Sequence, residues 1–334
     1  MEYPTSISIS AFTRRKFLAG AGTAAAATMI AGCSGGTLNL PSVSSFTDAD
    51  VLNFALNLEY LEAEVYLRAA TGSGLSSADA GSGAGTVTGG AKIAGLTAAQ
   101  QNFLNEVAYA EQEHVRFLRS ALGSAAVSRP TIDITAGFTG TVTAANSISN
   151  SSLPAIPTSF NPFGNFDSFM VAAEGLEDTG VTAYNGAAPL ISPAGISAGY
   201  LASAAGILAV EAYHAGYLRS SLIGNAIVQG TTAYPYPLYA NRIAALRQAL
   251  SGATTETQLA GFQSSASTVA NVQTGTVVPA DTNAIAYARN TDQVLHIVYG
   301  TFSASGSSTT PSAGVSKGGF FPNGLNGNIK VTQS

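Results

Sequence analysis

The sequence contains few charged side chains, one cysteine, three histidines and no tryptophan. Charged residues occupy 10% of the 334 positions, and the formal net charge is −5. Because nucleic acid is bound by basic surfaces, this acidic chain is predicted to have no nucleic-acid partner. A single cysteine excludes an internal disulfide and a four-cysteine rubredoxin-type iron site, so any electron supply would have to come from elsewhere.

Long apolar runs are also missing, since no stretch reaches the roughly 20 residues that a membrane-spanning helix needs. Residues 1–33 instead read as an export signal, with Arg14 and Arg15 as a twin-arginine pair before a short Ala/Gly-rich run. Ile30-Ala-Gly-Cys33 resembles a lipobox, in which Cys33 would be lipidated and become the mature N-terminus. The alternative is an ordinary cleavable signal with an incidental cysteine. We therefore expect a periplasmic or cell-surface protein, anchored in the membrane by lipid at Cys33.

Helical spacing of apolar residues predicts an all-α fold after a flexible tether at 34–45. The domain is expected at 46–300, followed by a Gly/Ser-rich extension at 301–334. The predicted helices cover 46–71, 96–122, 166–186, 197–222, 238–250 and 291–299. Thr97 with Gln100 resembles a capping box, and Gly123 is a natural helix stop. Between the second and third helices, alternating residues at 131–135 and 140–143 predict short strands.

Two of the three histidines follow a glutamate by three positions, in Glu111-x-x-His114 and Glu211-x-x-His214. Residues three apart share one face of a helix, with Cβ atoms about 5–6 Å apart, so both side chains can bind one ion. Each motif is followed by an aromatic-Leu-Arg-Ser sequence, ending at Ser120 and Ser220. These echoes predict a duplicated helical hairpin with a site on its pseudo-twofold axis.

Each half also supplies one further glutamate with a tyrosine seven positions on: Glu59 with Tyr66, and Glu177 with Tyr184. This shared spacing favours Glu59 over its rivals Glu62 and Glu64, and Glu177 over its rival Glu174. The tyrosines either hydrogen-bond ligand carboxylates across the site or pack in the core. Other polar residues are expected to have lesser roles. Asp178 has the same two alternatives as the tyrosines, Glu106 and Glu113 are predicted to face solvent or support the ligands, and His296 is predicted to be structural.

The predicted ligand set is four carboxylates and two imidazoles, from Glu59, Glu111, His114, Glu177, Glu211 and His214. Four negative charges balance two divalent ions. Oxygen and nitrogen donors without soft sulfur suit two Fe or Mn ions, with Zn as an open alternative. Glu111 and Glu211 are expected to bridge the ions. The other four would be terminal ligands, leaving positions open to O₂ or peroxide.

At these residues the chain resembles the ferritin-like superfamily of ferritins, rubrerythrins and manganese catalases. It is especially similar to a ferritin-like domain family that includes plant desiccation-related proteins and exported bacterial members. The similarity extends to Val294-Leu-His-Ile-Val-Tyr-Gly300 and Gly318-Gly-Phe-Phe-Pro-Asn-Gly324. The resemblance implies a four-helix bundle with a long crossover between its second and third helices, extra C-terminal helices and small β or loop insertions.

Two classes of function follow from these patterns. The first is a two-metal enzyme or redox protein, such as an oxidase, peroxidase or catalase, that reacts with peroxide or O₂ in stress defence. The second is a metal-binding or desiccation-protective surface protein without catalysis, favoured by the low charge and the Ser/Gly-rich loops. A ferritin-like iron store is a third option, but an acyl anchor and bulky insertions argue against a closed cage. Smaller homo-oligomers remain compatible with the sequence.

Overall fold

A computed structural model describes most of the chain beyond the predicted export segment. The described residues are 46–148, 152–252, 256, 258–259, 277–281, 283–300 and 313–333. The predicted signal at 1–33, its lipidation site Cys33, the tether at 34–45 and residues 301–312 of the C-terminal extension lie outside these ranges.

Helices dominate the described residues, which confirms the predicted all-α fold class. In chain order these helices are α1 (Asp48–Thr71), α2 (Ser77–Ala80), α3 (Ala98–Leu122), α4 (Ile134–Ser147), α5 (Phe166–Ala187), α6 (Pro193–Ser197), α7 (Tyr200–Gln229), α8 (Tyr236–Ser251) and α9 (Thr291–Tyr299). Two-residue strands β1 (Val87–Thr88) and β2 (Ile132–Asp133) pair in parallel.

Helices α1 and α3 form one antiparallel hairpin of the bundle. The Gln101 amide near the start of α3 donates to the Ala70 carbonyl at the end of α1, at 3.2 Å. At the opposite end, the Asn53 amide near the start of α1 donates to the carbonyl of Ala125, just beyond α3, at 2.9 Å. The start of each helix therefore lies beside the end of the other.

Helices α5 and α7 form the second hairpin in the same way. Glu174 of α5 pairs with Arg219 of α7, whereas Gly180, further along α5, lies beside Glu211, which is earlier in α7. Rising residue numbers on one helix thus face falling numbers on the other, so this pair is also antiparallel. The two hairpins pack together as a four-helix bundle, and residues 123–165 make the long crossover between them.

Local sequence signals set most of the helix ends. Thr97 and Gln100 form the predicted capping box at the start of α3, which Gly123 ends with a φ of 55°. The predicted end of α7 near residue 222 is wrong, because the helix continues to Gln229 and stops only at Gly230. Gly224 inside the helix does not break it, since a glycine is tolerated there at a modest cost in stability.

The strand predicted at 140–143 is wrong, because these residues lie in α4. Asp133 caps this helix by accepting a hydrogen bond from the Ala136 N–H. The Thr141 hydroxyl donates to the Gly137 carbonyl at 2.9 Å, so the helix itself satisfies that side chain. Of the strand predicted at 131–135, only Ile132 and Asp133 are extended.

The C-terminal part of the chain packs on the outside of the bundle. Asn57 of α1 exchanges two hydrogen bonds with the Asn326 backbone, at 2.9 and 3.0 Å. Phe320 contacts Phe138 of α4 edge to face, with ring centroids 5.0 Å apart. The tail therefore ties the crossover helix to the bundle. In the part of the chain that the structure describes, no helix is long and apolar enough to cross a membrane.

Candidate metal centre

The six predicted ligand residues meet in the middle of the bundle. Helices α1 and α5 contribute one glutamate each, and α3 and α7 contribute one Glu-x-x-His motif each. The four carboxylates are fully buried and the two histidines are 8% exposed: Glu59, Glu111, His114, Glu177, Glu211 and His214. The bundle thus brings four acidic groups together out of water, an arrangement that needs compensating positive charge.

The first half of the centre consists of Glu59, Glu111, His114 and Glu211, whose ligand atoms all lie within 4.8 Å of one another. Nδ1 of His114 is 3.1 Å from Glu59 Oε2 and 3.2 Å from Glu111 Oε2. It is also 3.5 Å from Glu211 Oε1. One nitrogen therefore faces three carboxylates from three helices.

The second half repeats this arrangement with Glu111, Glu177, Glu211 and His214, again within 4.8 Å. Nδ1 of His214 is 3.0 Å from Glu111 Oε1 and 3.3 Å from Glu177 Oε2. Glu111 and Glu211 belong to both halves, and the two oxygens of Glu111 face different histidines. These two carboxylates are therefore placed where bridging ligands would lie.

Two buried tyrosines cross between the hairpins to the outer carboxylates. The Tyr66 hydroxyl of α1 donates to Glu177 Oε1 of α5 at 2.5 Å. In return, the Tyr184 hydroxyl of α5 donates to Glu59 Oε1 of α1. Each tyrosine thus orients the glutamate of the opposite half and leaves that carboxylate's second oxygen facing a histidine.

Carboxylates control the protonation of both histidines. Burial alone would lower the pKa of His114, but Glu59 and Glu111 outweigh it and raise that pKa to about 11. For His214, burial is likewise outweighed by Glu177 and Glu111, and the pKa rises to about 10. In the metal-free chain the imidazoles therefore supply the positive charge at neutral pH.

The pKa values of the carboxylates differ according to how many imidazoles each carboxylate faces and how closely. Burial would raise the pKa of Glu111, but the two histidines that face its carboxylate oxygens lower that pKa to about 2. Burial raises the pKa of Glu59 to about 7 despite the nearby His114. Burial and the neighbouring carboxylates raise the pKa of Glu211 well above its usual range.

Several buried ligand atoms make no hydrogen bond in this arrangement. They are Glu111 Oε1, Glu177 Oε2, both carboxylate oxygens of Glu211, and Nδ1 of His214. Buried polar atoms are rarely left without partners, so this concentration at one place requires an explanation. Oxygen and imidazole donors at these spacings fit divalent ions of the Fe, Mn or Zn type.

Two of the rival glutamates have structural partners. Glu64 accepts hydrogen bonds from Arg68 and Arg129. Glu174 is joined to Arg219 at 2.9 Å, and Asp178 accepts from the same guanidinium at 2.8 Å. Glu64, Glu174 and Asp178 thus belong to buried ion pairs outside the two clusters.

Other predicted residues lie at the surface or elsewhere in the core. Glu106 is exposed, and Glu113 makes a surface ion pair with Arg116 at 2.6 Å. His296 is buried in α9, 3.7 Å from the Asp292 carboxylate. Glu62, which competes with Glu59 in the sequence pattern, is buried near the centre but belongs to neither cluster. Its position three residues after Glu59 was the sequence signal for this placement.

Comparison with known proteins agrees with this fold. The sequence model of the ferritin-like domain family matches residues 47–224. The ferritin-like catalase Nec2 of Nesocodon mauritianus is 31% identical over 290 residues, which cover 84% of each chain. The desiccation-related protein PCC13-62 of Craterostigma plantagineum is 28% identical over 286 residues, covering 81% of this chain and 82% of the relative. The chain described here belongs to the ferritin-like domain family.

Proposed function

We propose that the buried cluster holds two Fe or Mn ions and that the loaded protein reacts with peroxide or O₂. The observation that carries this proposal is the pair of overlapping four-residue clusters sharing Glu111 and Glu211. Two separate mononuclear sites would not share ligands. Four carboxylates also match the charge of two divalent ions, so the site would approach neutrality once loaded.

Each ion would be held by one histidine, one terminal carboxylate and the two shared carboxylates. His114 and Glu59 would serve one ion, and His214 and Glu177 the other. When bound, such a pair supplies Lewis acidity and a two-electron redox couple. Tyr66 and Tyr184 hold the terminal carboxylates in orientation, and the buried bundle keeps bulk water from the centre.

Peroxide breakdown is the reaction that we favour, because one relative is named a catalase. Two molecules of H₂O₂ would give two of water and one of O₂, so no external electron donor is needed. This fits a chain whose single cysteine cannot build a rubredoxin-type site.

Oxygen release from H₂O₂ by the Mn- or Fe-loaded protein tests this reaction. We expect sustained release by the wild type and its loss in the Glu111→Ala/Glu211→Ala variant. Glu113→Ala is a matched control, since Glu113 lies on the same helix as Glu111 but pairs with Arg116 at the surface. Absence of O₂ release by a protein that holds its metal would reject the reaction and leave the metal centre standing.

We also propose that the protein acts outside the cytoplasm, exported through the twin-arginine signal and anchored at Cys33. The support is the sequence pattern of residues 1–33. Twin-arginine export carries folded proteins, so the bundle could acquire its metal before crossing the membrane. A centre that removes peroxide at the cell surface would act where external oxidants arrive.

A desiccation-protective role without catalysis is the second candidate, favoured by the relative that is named desiccation-related. In that role the ions would stabilise the bundle and would not turn over peroxide. Drying survival of cells that carry the Glu111→Ala/Glu211→Ala variant separates the candidates when export levels are matched. Full protection by the variant would favour the non-catalytic role.

A further inference from the structure

A second feature of the fold is a largely apolar cavity of about 60 Å³ directly beside the Glu–His centre. Its walls come from α1, α4, α5, α8, α9 and the tail. Leu58 and Leu176 contribute to the wall, and each precedes a predicted metal ligand in sequence. The cavity therefore lies alongside the level of the bundle that carries the centre.

Gly180 lines the cavity and lies beside the centre. A Cβ atom placed on Gly180 would lie 2.3 Å from Glu211 Oε2 and 3.3 Å from Glu62 Oε1. Any side chain here would collide with the shared carboxylate Glu211. In the sequence repeat Gly180 is the counterpart of Glu62, since each lies three residues after a terminal glutamate. The pseudo-twofold symmetry is therefore broken at this pair, and the cavity lies on the side of the bundle where Glu62 and Gly180 meet.

The cavity has a buried inner end and a more accessible outer end. Glu62 and Gly180 are buried at the inner end, whereas Thr141, Leu176 and Ile297 are half-buried. Because exposure falls from these half-buried residues toward Glu62, we expect a ligand to enter the cavity between α4, α5 and α9.

One polar group on the wall has no partner. The Glu62 side chain is only 4% exposed. It makes no hydrogen bond or ion pair with the residues that the structure describes. The other polar wall residues are engaged. The Thr179 hydroxyl donates to the Gly175 carbonyl at 2.7 Å, and Arg247 binds Asp178 and Glu256. A buried carboxyl group without a partner, facing an apolar cavity, indicates a ligand that brings one hydrogen-bonding group.

We propose that this cavity binds a short-chain primary alcohol, with its hydroxyl at Glu62 and its alkyl chain toward α4 and α9. A hydroxyl both donates and accepts, so it can pair with Glu62 whether that carboxyl group is charged or neutral. At about 10–15 Å³ per water-sized group, the cavity holds about four to six non-hydrogen atoms. Such an alcohol would lie beside the proposed metal ions, on the side that Gly180 opens.

Titration of the full protein with 1-butanol, followed by NMR and calorimetry, tests binding in both metal-free and metal-loaded forms. We expect one saturable site. Glu62→Leu should weaken binding about tenfold, the effect of one lost buried hydrogen bond, while Glu62→Gln should stay within about threefold of wild type. Equal affinity for wild type and Glu62→Leu would overturn the assignment of the hydroxyl to Glu62.

Variants that fill the cavity locate the site. Ala172→Leu places a larger side chain in the cavity and should reduce butanol affinity at least tenfold without changing metal content. Thr141→Leu serves the same purpose if Ala172→Leu does not fold. Thr143→Leu is the matched control, since Thr143 lies on the exposed face of α4. Unchanged affinity in the folded filling variant, or no saturable binding to wild type, would overturn the proposal.

The orientation of the alcohol rests on the proposed metal centre, whereas its binding does not. In Mn-loaded protein, the CH₂ protons next to the hydroxyl should relax faster than the terminal methyl protons. The opposite gradient would overturn the orientation. If the chain binds butanol but takes up no metal, this cavity assignment stands and the metal proposal fails, so the two failures are distinguishable.

Discussion

When no metal is bound, protonated His114 and His214 provide the positive charge that the surrounding buried carboxylates need. Their pKa values rise to about 11 and about 10 because Glu59, Glu177 and Glu111 face them. Metal ions need neutral imidazoles and compete with these protons. Proton binding and metal binding are therefore alternatives at the same atoms.

This competition predicts a pH dependence for the metal-free protein. The raised histidine pKa values, together with the Glu59 pKa raised to about 7, mean that the folded state binds more protons than the unfolded state. The histidine contribution to stability is complete below about pH 6.5 and is lost toward pH 10–11. Urea unfolding between pH 5 and 8 should therefore show a falling free energy of unfolding, whereas metal affinity should rise. A metal-free protein that gains stability over this range would contradict the account.

The two tyrosines give a second test at the residue scale. Tyr66→Phe removes the hydroxyl that orients Glu177, and Tyr184→Phe does the same at Glu59. Each change should weaken metal affinity about 10–100-fold, as is typical when the partner of a ligand is lost. Competition titration with a chelator measures it. Tyr60→Phe is the control, because the buried Tyr60 hydroxyl donates to the Val127 carbonyl and accepts from Arg119, away from the centre. An equal loss of metal affinity in Tyr60→Phe would show that Tyr66 and Tyr184 do not act by orienting the carboxylates.

Sequence reasoning could identify the six clustered residues because their chemistry is tied to spacing. The seven-residue interval from Glu59 to Tyr66 singled out one of three nearby glutamates, and the structure brings that one into the cluster. The unpartnered state of Glu62 could not be predicted. The surroundings of Glu62 are set by the fold, which places Gly180, on another helix and 118 positions away, beside Glu62 Oε1.

At the scale of elements, the repeated hairpin is supported by different interactions in its two halves. Arg219 is fully buried between Glu174 and Asp178, whereas its counterpart Arg119 is half-buried and bonds the Tyr60 hydroxyl at 2.6 Å. Identical Leu-Arg-Ser sequences thus have different surroundings. The sequence could show the repeat but not which arginine would be enclosed.

This asymmetry predicts unequal costs for the same substitution. Arg219→Met removes one of the two buried guanidinium groups that face Glu174 and Asp178, leaving only Arg247 beside them. This loss should cost about 3–5 kcal/mol of unfolding free energy. Arg119→Met removes hydrogen bonds at a partly exposed site and should cost about 1 kcal/mol. Chemical denaturation of both variants, with metal removed, measures the difference. Equal losses would contradict the burial argument.

Helix α4 shows why local pattern misleads at the element scale. The alternation at 140–143 is typical of a strand, but Ile134, Phe138 and Val142 recur every four residues and are buried. The segment folds as a helix when it packs against the bundle, because burying the apolar face of Ile134, Phe138 and Val142 outweighs the β preference of threonine. The segment was too short for its sequence alone to distinguish the two.

At the scale of the whole molecule, we propose that the first 33 residues direct export and membrane anchoring. Cys33→Ser should abolish incorporation of labelled fatty acid and move the protein from the membrane fraction to the soluble exported fraction. Arg14→Lys with Arg15→Lys should retain the unprocessed chain in the cytoplasm. Fractionation with metabolic labelling measures both. Wild-type protein that is exported but never labelled would support the ordinary cleavable signal.

The metal content of the whole chain tests the central claim most directly. Purified wild-type protein, loaded with Fe or Mn and freed of excess ions, should hold about two ions per chain, the content of a carboxylate-bridged helix bundle. Glu111→Ala or Glu211→Ala should lose both ions, because each residue serves both halves of the centre. Glu59→Ala or Glu177→Ala should retain about one, and Glu113→Ala should retain both. A wild-type chain without metal, or a folded Glu111→Ala variant with unchanged metal content, would contradict the account.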